Sequence, residues 1–247
     1  MSYSVILPTL NEAGHIIKLV EKINTVFLEL NEKFEIIVVD DHSTDGTERL
    51  CNEMTKVHKN LKFFSRKGLK KNLADSINLG IQESICENII WMDADFQHPP
   101  DFFKQFHNFK NKYDVLIFSR FLKDSIRYFE KEKFKKELNE NQSVFFNKLC
   151  NTLLYKDITD YTSGFICIKK KILQNYQLKG YYGEYFIDLI NYCKTKKLSI
   201  MELPFIERKR DSGISKTFPS FSFRYLILLY KYFFCLMKNI IKKNFIR

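Results

Sequence analysis

Two aspartates, Asp93 and Asp95, follow directly on an apolar run in the segment IIWMDADFQHPP, Ile89 to Pro100. The run has the composition of a buried strand, so both carboxylates are expected at the end of that strand. Carboxylate oxygens suit Mg²⁺ and Mn²⁺, and these ions leave coordination positions open for phosphate. The pair therefore indicates a divalent cation site that neutralises a diphosphate. Alternatively, Asp95 only caps a helix begun by HPPDFF, with Pro99 near its first turn.

Apolar runs and helical patterns alternate along the chain and would position these two carboxylates. Five runs indicate strands: YSVIL, FEIIVVD, LKFF, NIIWMD and YDVLIFS. Apolar residues at helical spacing lie between the first two runs and before the fourth. This alternation predicts an α/β fold, a Rossmann-like and mostly parallel sheet with helices on both faces. Ligands of such sheets bind beyond the carboxyl ends of the strands.

Polar groups are predicted at four of those strand ends. They are Pro8, Asn11 and Glu12 after the first strand, Asp40 and Asp41 after the second, Asp93 and Asp95 after the fourth, and Ser119 and Arg120 after the fifth. Neither a GxGxxG segment nor a Walker lysine loop is present, so dinucleotide binding and P-loop hydrolysis lose their main support. Carboxylates such as Glu12 and Asp41 can instead accept hydrogen bonds from a base or a ribose.

The net charge of +11 calls for an anionic partner, which could be nucleic acid, a membrane surface or a phosphorylated substrate. Basic residues greatly outnumber acidic ones from Arg208 to Arg247, where they flank an apolar segment. No aromatic-basic RNA motif or recognition-helix pattern stands out. The placement of the charge therefore favours a membrane surface and argues against nucleic acid as the partner.

The C-terminal segment has the pattern of an amphipathic helix. From Tyr225 to Met237 it is apolar except for Lys231, and about 13 residues are too few to span a bilayer. In a helix, a basic stripe interrupted by Leu228 and Cys235 would run along one side, formed by Ser220, Arg224, Lys231, Lys238 and Lys242. This pattern predicts a helix that lies in the lipid headgroup region. Alternatively, the helix packs onto the domain or onto a membrane helix of a partner.

Length and composition predict one substantial core, since 45% of the 247 residues are hydrophobic. We expect a catalytic domain over residues 1–217 and a membrane-associating helical segment over residues 218–247. The N-terminal stretch MSYSVILPTLNE lacks the features of a secretion signal, which predicts a cytoplasmic location. The six cysteines are scattered without a CxxC pair, which predicts reduced structural thiols.

Five segments, in this order, resemble glycosyltransferase family 2: SVILPTLNEAGHI, IIVVDDHSTDGT, MDADFQHPP, ITDYTSGFICIKK and RDSGISK. The first three are widespread in that family. The DADxQHPP form, the TSGF segment and the closing RxxGxSK are similar to its polyprenyl-phosphate glycosyltransferase branch, which includes dolichol-phosphate mannosyltransferases. The resemblance covers roughly residues 3 to 217 and implies an A-type glycosyltransferase fold.

The resemblance also implies roles for individual residues. The nucleotide sugar would be bound by Pro8, Leu10, Glu12, Val39, Asp41, Ala94, Arg210 and Lys216. Mg²⁺ or Mn²⁺ would be held by Asp93 and Asp95, with Gln97 as a further ligand. Arg120 would face the donor or acceptor phosphate. The expected arginine on the acceptor side has no clear match, and Arg127 is only a candidate for it.

Asp160, in ITDYTSGF, is implied on the acceptor side of the cleft. It invites the role of general base, but a phosphate acceptor is already largely ionised near pH 7, because its second pKa is about 6. We therefore expect Asp160 to orient groups or bind metal. Alternatively, it caps the turn through Thr162 and Ser163.

The implied activity is inverting, metal-dependent transfer of a hexose from GDP-mannose or a UDP-sugar to a polyprenyl phosphate, dolichyl or undecaprenyl, peripherally at the cytoplasmic face of a membrane. The alternative is a family 2 enzyme that acts on a hydroxyl of a surface polysaccharide or glycan. Such an enzyme would need a true general base.

Overall fold

The computed structural model describes residues 2–126, 135–208 and 223–245. Its centre is a seven-stranded sheet in the order β3-β2-β1-β4-β6-β5-β7. The strands are β1 (Ser2–Thr9), β2 (Lys33–Asp40), β3 (Leu61–Ser65), β4 (Asn88–Trp91), β5 (Val115–Ser119), β6 (Ile166–Lys169) and β7 (Ile200–Pro204). The helices are α1 (Ile16–Glu29), α2 (Thr47–Val57), α3 (Leu73–Glu83), α4 (Phe103–Phe109), α5 (Lys135–Leu153), α6 (Lys170–Leu173), α7 (Tyr185–Thr195) and α8 (Phe223–Phe245), and a 3₁₀ turn spans Pro100–Phe102.

The predicted α/β fold with a mostly parallel sheet is confirmed. The five predicted strands are all present, and β6 is the antiparallel strand, inserted between β4 and β5. Because β6 is antiparallel to both β4 and β5, these two strands run in the same direction, and β7 runs parallel to β5. The carboxyl ends of β1, β2, β4, β5 and β7 therefore meet at one edge of the sheet. This edge gathers the polar groups expected at the strand ends.

Apolar side chains cover both faces of the sheet. Along β1, Ile6 packs into one core cluster with α3 and α7, whereas Val5 and Leu7 pack into the other with α1 and α4. Burial on both faces explains the unbroken apolar run from Ile36 to Val39 in β2. On α3, Gly80 allows close approach to β1, because a Cβ there would lie 2.4 Å from Cγ2 of Ile6.

The described side chains by which helix α8 packs on the domain lie on one face of the helix. Its residues Tyr232, Cys235, Leu236 and Asn239 are buried against the core, and Asn191 on α7 donates to Oδ1 of Asn239 at 2.7 Å. Among the helix residues whose side chains the structure describes, several apolar ones are exposed, namely Ile227, Leu229, Tyr230, Phe233, Phe234, Met237 and Ile241. The alternative that the helix packs on the domain therefore holds for one face and leaves the other exposed.

No helix among the residues that the structure describes combines the length and the apolar character needed to cross a bilayer. All six cysteines are free and buried, which agrees with the prediction of reduced structural thiols.

Candidate active site

The ends of β1 and β2 bring several predicted nucleotide-binding residues together. Pro8 pairs with Val39 in register, and the backbone N–H of Asp41 donates to the carbonyl of Thr9 at 2.8 Å. The Val39 side chain is fully buried, as is nearly all of Ala94. These two therefore support the wall of the site from behind, whereas Pro8 is half-buried at its surface.

The loops that follow β1 and β2 brace each other. The N–H of Asn11 donates to Ser43 at 2.7 Å, while Asn11 Oδ1 accepts from the N–H of Thr44 at 2.8 Å. Leu10, in the first loop, is half-buried. Glu12 is held in the same loop, because its carboxylate lies 3.0 Å from His15 Nδ1. This bracing places the predicted Leu10 and Glu12 beside the end of β2.

Asp41 is paired with Arg66, a residue that the sequence reasoning missed. The Arg66 guanidinium donates to Oδ1 of Asp41 at 2.6 Å, and the backbone N–H of Asn72 donates to Oδ2 at 2.6 Å. Burial raises the pKa of Asp41, although the Asn72 N–H and the Arg66 charge partly oppose this shift. Asp41 thus organises the loop from Arg66 to Asn72. The signal was the single arginine in SRKGLKKN, directly after β3.

Asp93 and Asp95 lie in the loop after β4, as predicted. Asp93 is exposed, whereas Asp95 is buried and accepts from the N–H of Gln97 at 3.1 Å. The Asp93 N–H donates to Nδ1 of His98 at 3.1 Å. The alternative that Asp95 caps the next helix is wrong, since that turn begins at Pro100 and has no side-chain cap. Hydrogen bonds within the loop thus present both carboxylates at the sheet edge.

The donor set in this loop fits Mg²⁺ or Mn²⁺ when the diphosphate completes the shell. Asp93, Asp95 and Gln97 offer only hard oxygen ligands, which these ions prefer. Among the described residues, no group of three or more His, Cys, Asp or Glu side chains is arranged to hold a metal. An ion here would therefore take its other ligands from substrate phosphate and water, as Mg²⁺ commonly does.

Arg120, which is half-buried, forms an ion pair with Asp160. Nε of Arg120 lies 2.8 Å from Asp160 Oδ2, and Nη2 lies 2.9 Å from Oδ1. Asp160 is fully buried. Burial alone would raise the pKa of Asp160, but the charge and hydrogen bonds of Arg120 hold it below its usual range. The Asp160 carboxylate is therefore held in its ionised form, and its two oxygens fix the orientation of the Arg120 guanidinium.

The charge of Arg120 interacts with that of Asp93, in the loop from Asp93 to His98 that carries the candidate metal ligands (the metal loop). Burial would lower its pKa, but Asp160 raises it above the ordinary value, with smaller contributions from Glu207 and Asp93. Arg120 Nη2 also donates to the Thr162 hydroxyl at 2.8 Å. A permanent cation thus lies within electrostatic reach of the Asp93 carboxylate.

Glu202, on β7, is a second residue that the sequence reasoning missed. Its carboxylate accepts from the N–H groups of Thr159 and Asp160, at 2.8 and 2.9 Å. Burial raises the pKa of Glu202, and these hydrogen bonds oppose the shift. Glu202 thereby fixes the backbone from which Asp160 reaches Arg120. No strand was predicted at β7, so no signal pointed to this contact.

Three predicted basic residues, Arg127, Arg210 and Lys216, lie outside the described residues. Arg208, the last described residue before Arg210, lies beside the candidate site, because its N–H donates to the carbonyl of Gln97 at 3.3 Å.

Two surface cavities lie beside α7 and α8. The one of about 420 Å³ has Lys194 and Lys243 in its wall, and the one of about 510 Å³ has Tyr192 and Lys238. Neither wall includes a strand-end carboxylate of the metal loop. We therefore place the site where the strand-end groups converge and not in either of these two cavities.

Comparison with known families decides the class of protein. Residues 4–177, well over half of the chain, match the family model Glycosyl transferase family 2. The chain belongs to glycosyltransferase family 2.

Sequence relatives of this family 2 glycosyltransferase include dolichol-phosphate mannosyltransferases. The one from Pyrococcus furiosus is 29% identical over 232 residues, which cover 94% of this chain and 63% of the relative. The one from Saccharomyces cerevisiae is 23% identical over 223 residues, which cover 87% of this chain and 81% of the relative. This chain thus spans less than two thirds of the length of the Pyrococcus relative.

Solved structures share the fold of this family 2 glycosyltransferase. Mannosyl-3-phosphoglycerate synthase from Rubrobacter xylanophilus has a TM-score of 0.70 at 15% identity, over 99% of this chain and 75% of that chain. Glucosyl-3-phosphoglycerate synthase from Mycobacterium tuberculosis, in complex with Mn²⁺, UDP-glucose and phosphoglyceric acid, has a TM-score of 0.69 at 16% identity, over 97% and 79% of the two chains. The expected A-type glycosyltransferase fold is confirmed.

Proposed function

We propose that this family 2 glycosyltransferase moves a hexose from a nucleotide sugar to a polyprenyl phosphate. The observation that carries the proposal is the ion pair between Arg120 and Asp160. A hydroxyl acceptor needs a base, whereas a phosphate acceptor needs a cation. Asp160 is committed to Arg120, and Arg120 provides the cation. The names of the sequence relatives point to the same acceptor.

The donor nucleotide would lie over the ends of β1 and β2. Pro8, Leu10 and Glu12 would contact it from one loop, and Asp41 from the other, with Val39 and Ala94 supporting the pocket from behind. Arg210 and Lys216 remain predicted ligands of its diphosphate. A solved structure that shares this fold holds UDP-glucose, which supports a nucleotide sugar as the donor.

Asp93 and Asp95, with Gln97, would hold Mg²⁺ or Mn²⁺, which supplies positive charge to the departing diphosphate. Side chains of the protein would position the acceptor. Arg120, oriented by Asp160, would hold the acceptor phosphate beside the anomeric carbon of the sugar. An oxygen of that phosphate would form a bond to the anomeric carbon from the side opposite the nucleoside diphosphate, whose bond breaks. This geometry inverts the configuration at that carbon.

The test is transfer of radiolabel from a panel of nucleotide sugars into organic-extractable polyprenyl phosphate. We expect label in the organic phase that is lost when EDTA is added. Label that entered a glycan hydroxyl and never the lipid would reject the proposal and favour the alternative family 2 activity.

We further propose that α8 places the enzyme peripherally on an anionic membrane surface, predicted to be a cytoplasmic face. The catalytic domain would span residues 1–217 and the membrane-associating segment residues 218–247. The exposed apolar side chains of α8 and its flanking cations, Lys231, Lys238 and Lys242, support an in-plane position at the lipid headgroups. A lipid acceptor would be reached from the same surface.

Replacing Phe233 and Phe234 together with serine should weaken binding to anionic vesicles by roughly tenfold or more, because two exposed aromatic side chains would no longer enter the lipid. Flotation with phosphatidylglycerol vesicles measures this change. The matched control replaces Val57 and Ile85, which are at least as exposed as Phe233 and Phe234, with serine. Equal binding by both double variants would rule out α8 as the contact.

A further inference from the structure

We propose that Lys70, Tyr181 and Lys231 form a binding site for the phosphate group of an anionic membrane lipid. The site would lie between α8 and the loop from Arg66 to Asn72. This proposal depends on the membrane-facing role of α8 proposed above. It would take a lipid that is not a substrate, through side chains other than Arg120, Asp93 and Asp95.

Two cations from distant parts of the chain converge on one aromatic ring. Nζ of Lys231, on α8, lies 3.7 Å from the centre of the Tyr181 ring. Nζ of Lys70 lies 4.5 Å from the same centre and donates to the Tyr181 hydroxyl at 3.1 Å. The ring face stabilises both charges, but bringing like charges together opposes this stabilisation.

Neither lysine has a carboxylate within salt-bridge distance among the described residues. This distinguishes them from neighbours on the same elements, since Lys238 pairs with Asp188 at 2.8 Å and Arg66 pairs with Asp41 at 2.6 Å. A bound anion would remove the repulsion between the two ammonium groups. The tyrosine hydroxyl and both ammonium groups could all reach the oxygens of one phosphate.

Exposed apolar side chains beside the cluster identify the anion as a lipid headgroup. Leu69, next to Lys70, is 62% exposed at the centre of the sequence KGLKK. On α8, Phe234 lies one turn from Lys231 and is 59% exposed. Apolar side chains that alternate with cations are typical of surfaces that enter the headgroup region of a membrane. A site for a free anion would not need exposed apolar side chains such as those of Leu69 and Phe234.

The site would also orient the enzyme on the membrane. The loop that carries Lys70 begins at Arg66 and ends at Asn72, and both residues hold Asp41. The carbonyl of Tyr181 accepts from the N–H of Leu73 at 3.4 Å, at the start of α3. Contact with lipid at both α8 and this loop would set the carboxyl edge of the sheet facing the bilayer.

The experiment compares the full chain with a variant in which Lys70 and Lys231 are both glutamine, by flotation with phosphatidylglycerol and with phosphatidylcholine vesicles. We expect roughly 30-fold weaker binding to the anionic vesicles, the size of effect for two basic residues at a lipid surface. Binding to neutral vesicles should not change. The matched control replaces Lys56 and Lys59, which are exposed near the start of β3 at the opposite edge of the sheet, with glutamine.

Several results would overturn the lipid site. They are equal losses in the two double variants, an equal loss on neutral vesicles, and displacement of the parent chain by millimolar inorganic phosphate at constant ionic strength. A parent dimer in sedimentation that the variant lacks would assign the surface to a second copy of the chain. Flotation uses no nucleotide sugar, so failure of lipid transfer leaves this test intact. A parent chain that never floats would contradict the membrane surface itself.

Discussion

Asparagine in place of Asp93 is expected to lower the rate of sugar transfer by about 10³-fold, since loss of one group that stabilises developing charge costs 10²–10³-fold and a metal ligand is lost as well. The substitution keeps the shape of the side chain and removes its charge. Because Asp93 is exposed, the free energy of unfolding should change by less than about 0.5 kcal/mol. Initial rates of transfer and a urea titration measure the two quantities.

A second measurement separates metal binding from catalysis. The parent should bind nucleoside diphosphate more tightly with Mn²⁺ than with EDTA, and the Asp93→Asn variant should show no such difference. Glu53→Gln, which removes an exposed carboxylate of α2, is the matched control. If the Asp93→Asn variant kept the parental rate and its response to Mn²⁺, the metal assignment would be wrong.

A substitution of Asp95 is expected to change both transfer and stability. Asp95→Ala should also abolish transfer, but Asp95 is buried and accepts from the N–H of Gln97. Loss of that acceptor would cost about 1–3 kcal/mol of stability. Asp93 therefore gives the cleaner test of chemistry.

Asparagine in place of Asp160 is expected to lower both stability and transfer. Asp160 is fully buried and Arg120 is half-buried, so the guanidinium would lose its counter-charge while water still reaches it. Breaking a fully buried ion pair from one side costs about 3–5 kcal/mol of unfolding free energy, and we expect a smaller loss here. Transfer should fall by about 10²-fold or more, because Arg120 would no longer be held towards the acceptor phosphate. Urea denaturation and initial rates measure these two effects.

A double variant separates stability from function. Replacing Arg120 with methionine and Asp160 with leucine removes both charges, which is often neutral or favourable for stability. This protein should recover most of the lost stability and remain inactive. A double variant that regained transfer would show that the pair has only a structural role.

The pH dependence follows from the direction of the Asp160 shift. Arg120 holds the pKa of Asp160 below its unfolded value. The resulting stability is therefore present above the unfolded pKa of about 3.9 and is lost as the pH falls through the lower folded pKa. The stability gap between the parent and Asp160→Asn should stay constant at neutral pH and narrow only below about pH 4.

Activity should respond to pH in a different range. The acceptor phosphate takes up a proton near its second pKa of about 6, so kcat/KM should fall on the acid side of this value. Asp160→Asn should show the same acid limb, because in the proposed mechanism Asp160 orients Arg120 and takes up no proton. If the limb vanished in that variant, the acceptor would be a hydroxyl and Asp160 would be its base.

The order of elements and the location of the site could be predicted from the sequence. Apolar periodicity is a local property, so a helix forms between the first two apolar runs as predicted, and this helix, α1, buries Ile16, Leu19 and Val20. In the same way, a polar residue that ends an apolar run lies at a strand end whatever surrounds it. For this reason Asp93, Asp41 and Arg120 were predicted at one edge of the sheet before their neighbours were known.

The partners of those residues were decided by tertiary structure. Arg120 and Asp160 are 40 positions apart in the sequence, and Asp41 and Arg66 are 25 apart. Neither pair has a spacing that reveals it, since each forms only when strands pair across the sheet. The unpredicted strand β7 likewise places Glu202 behind Asp160. Whether a carboxylate binds a ligand, accepts a proton or holds a cation depends on these long-range contacts, because burial and the nearest charge set its ionisation.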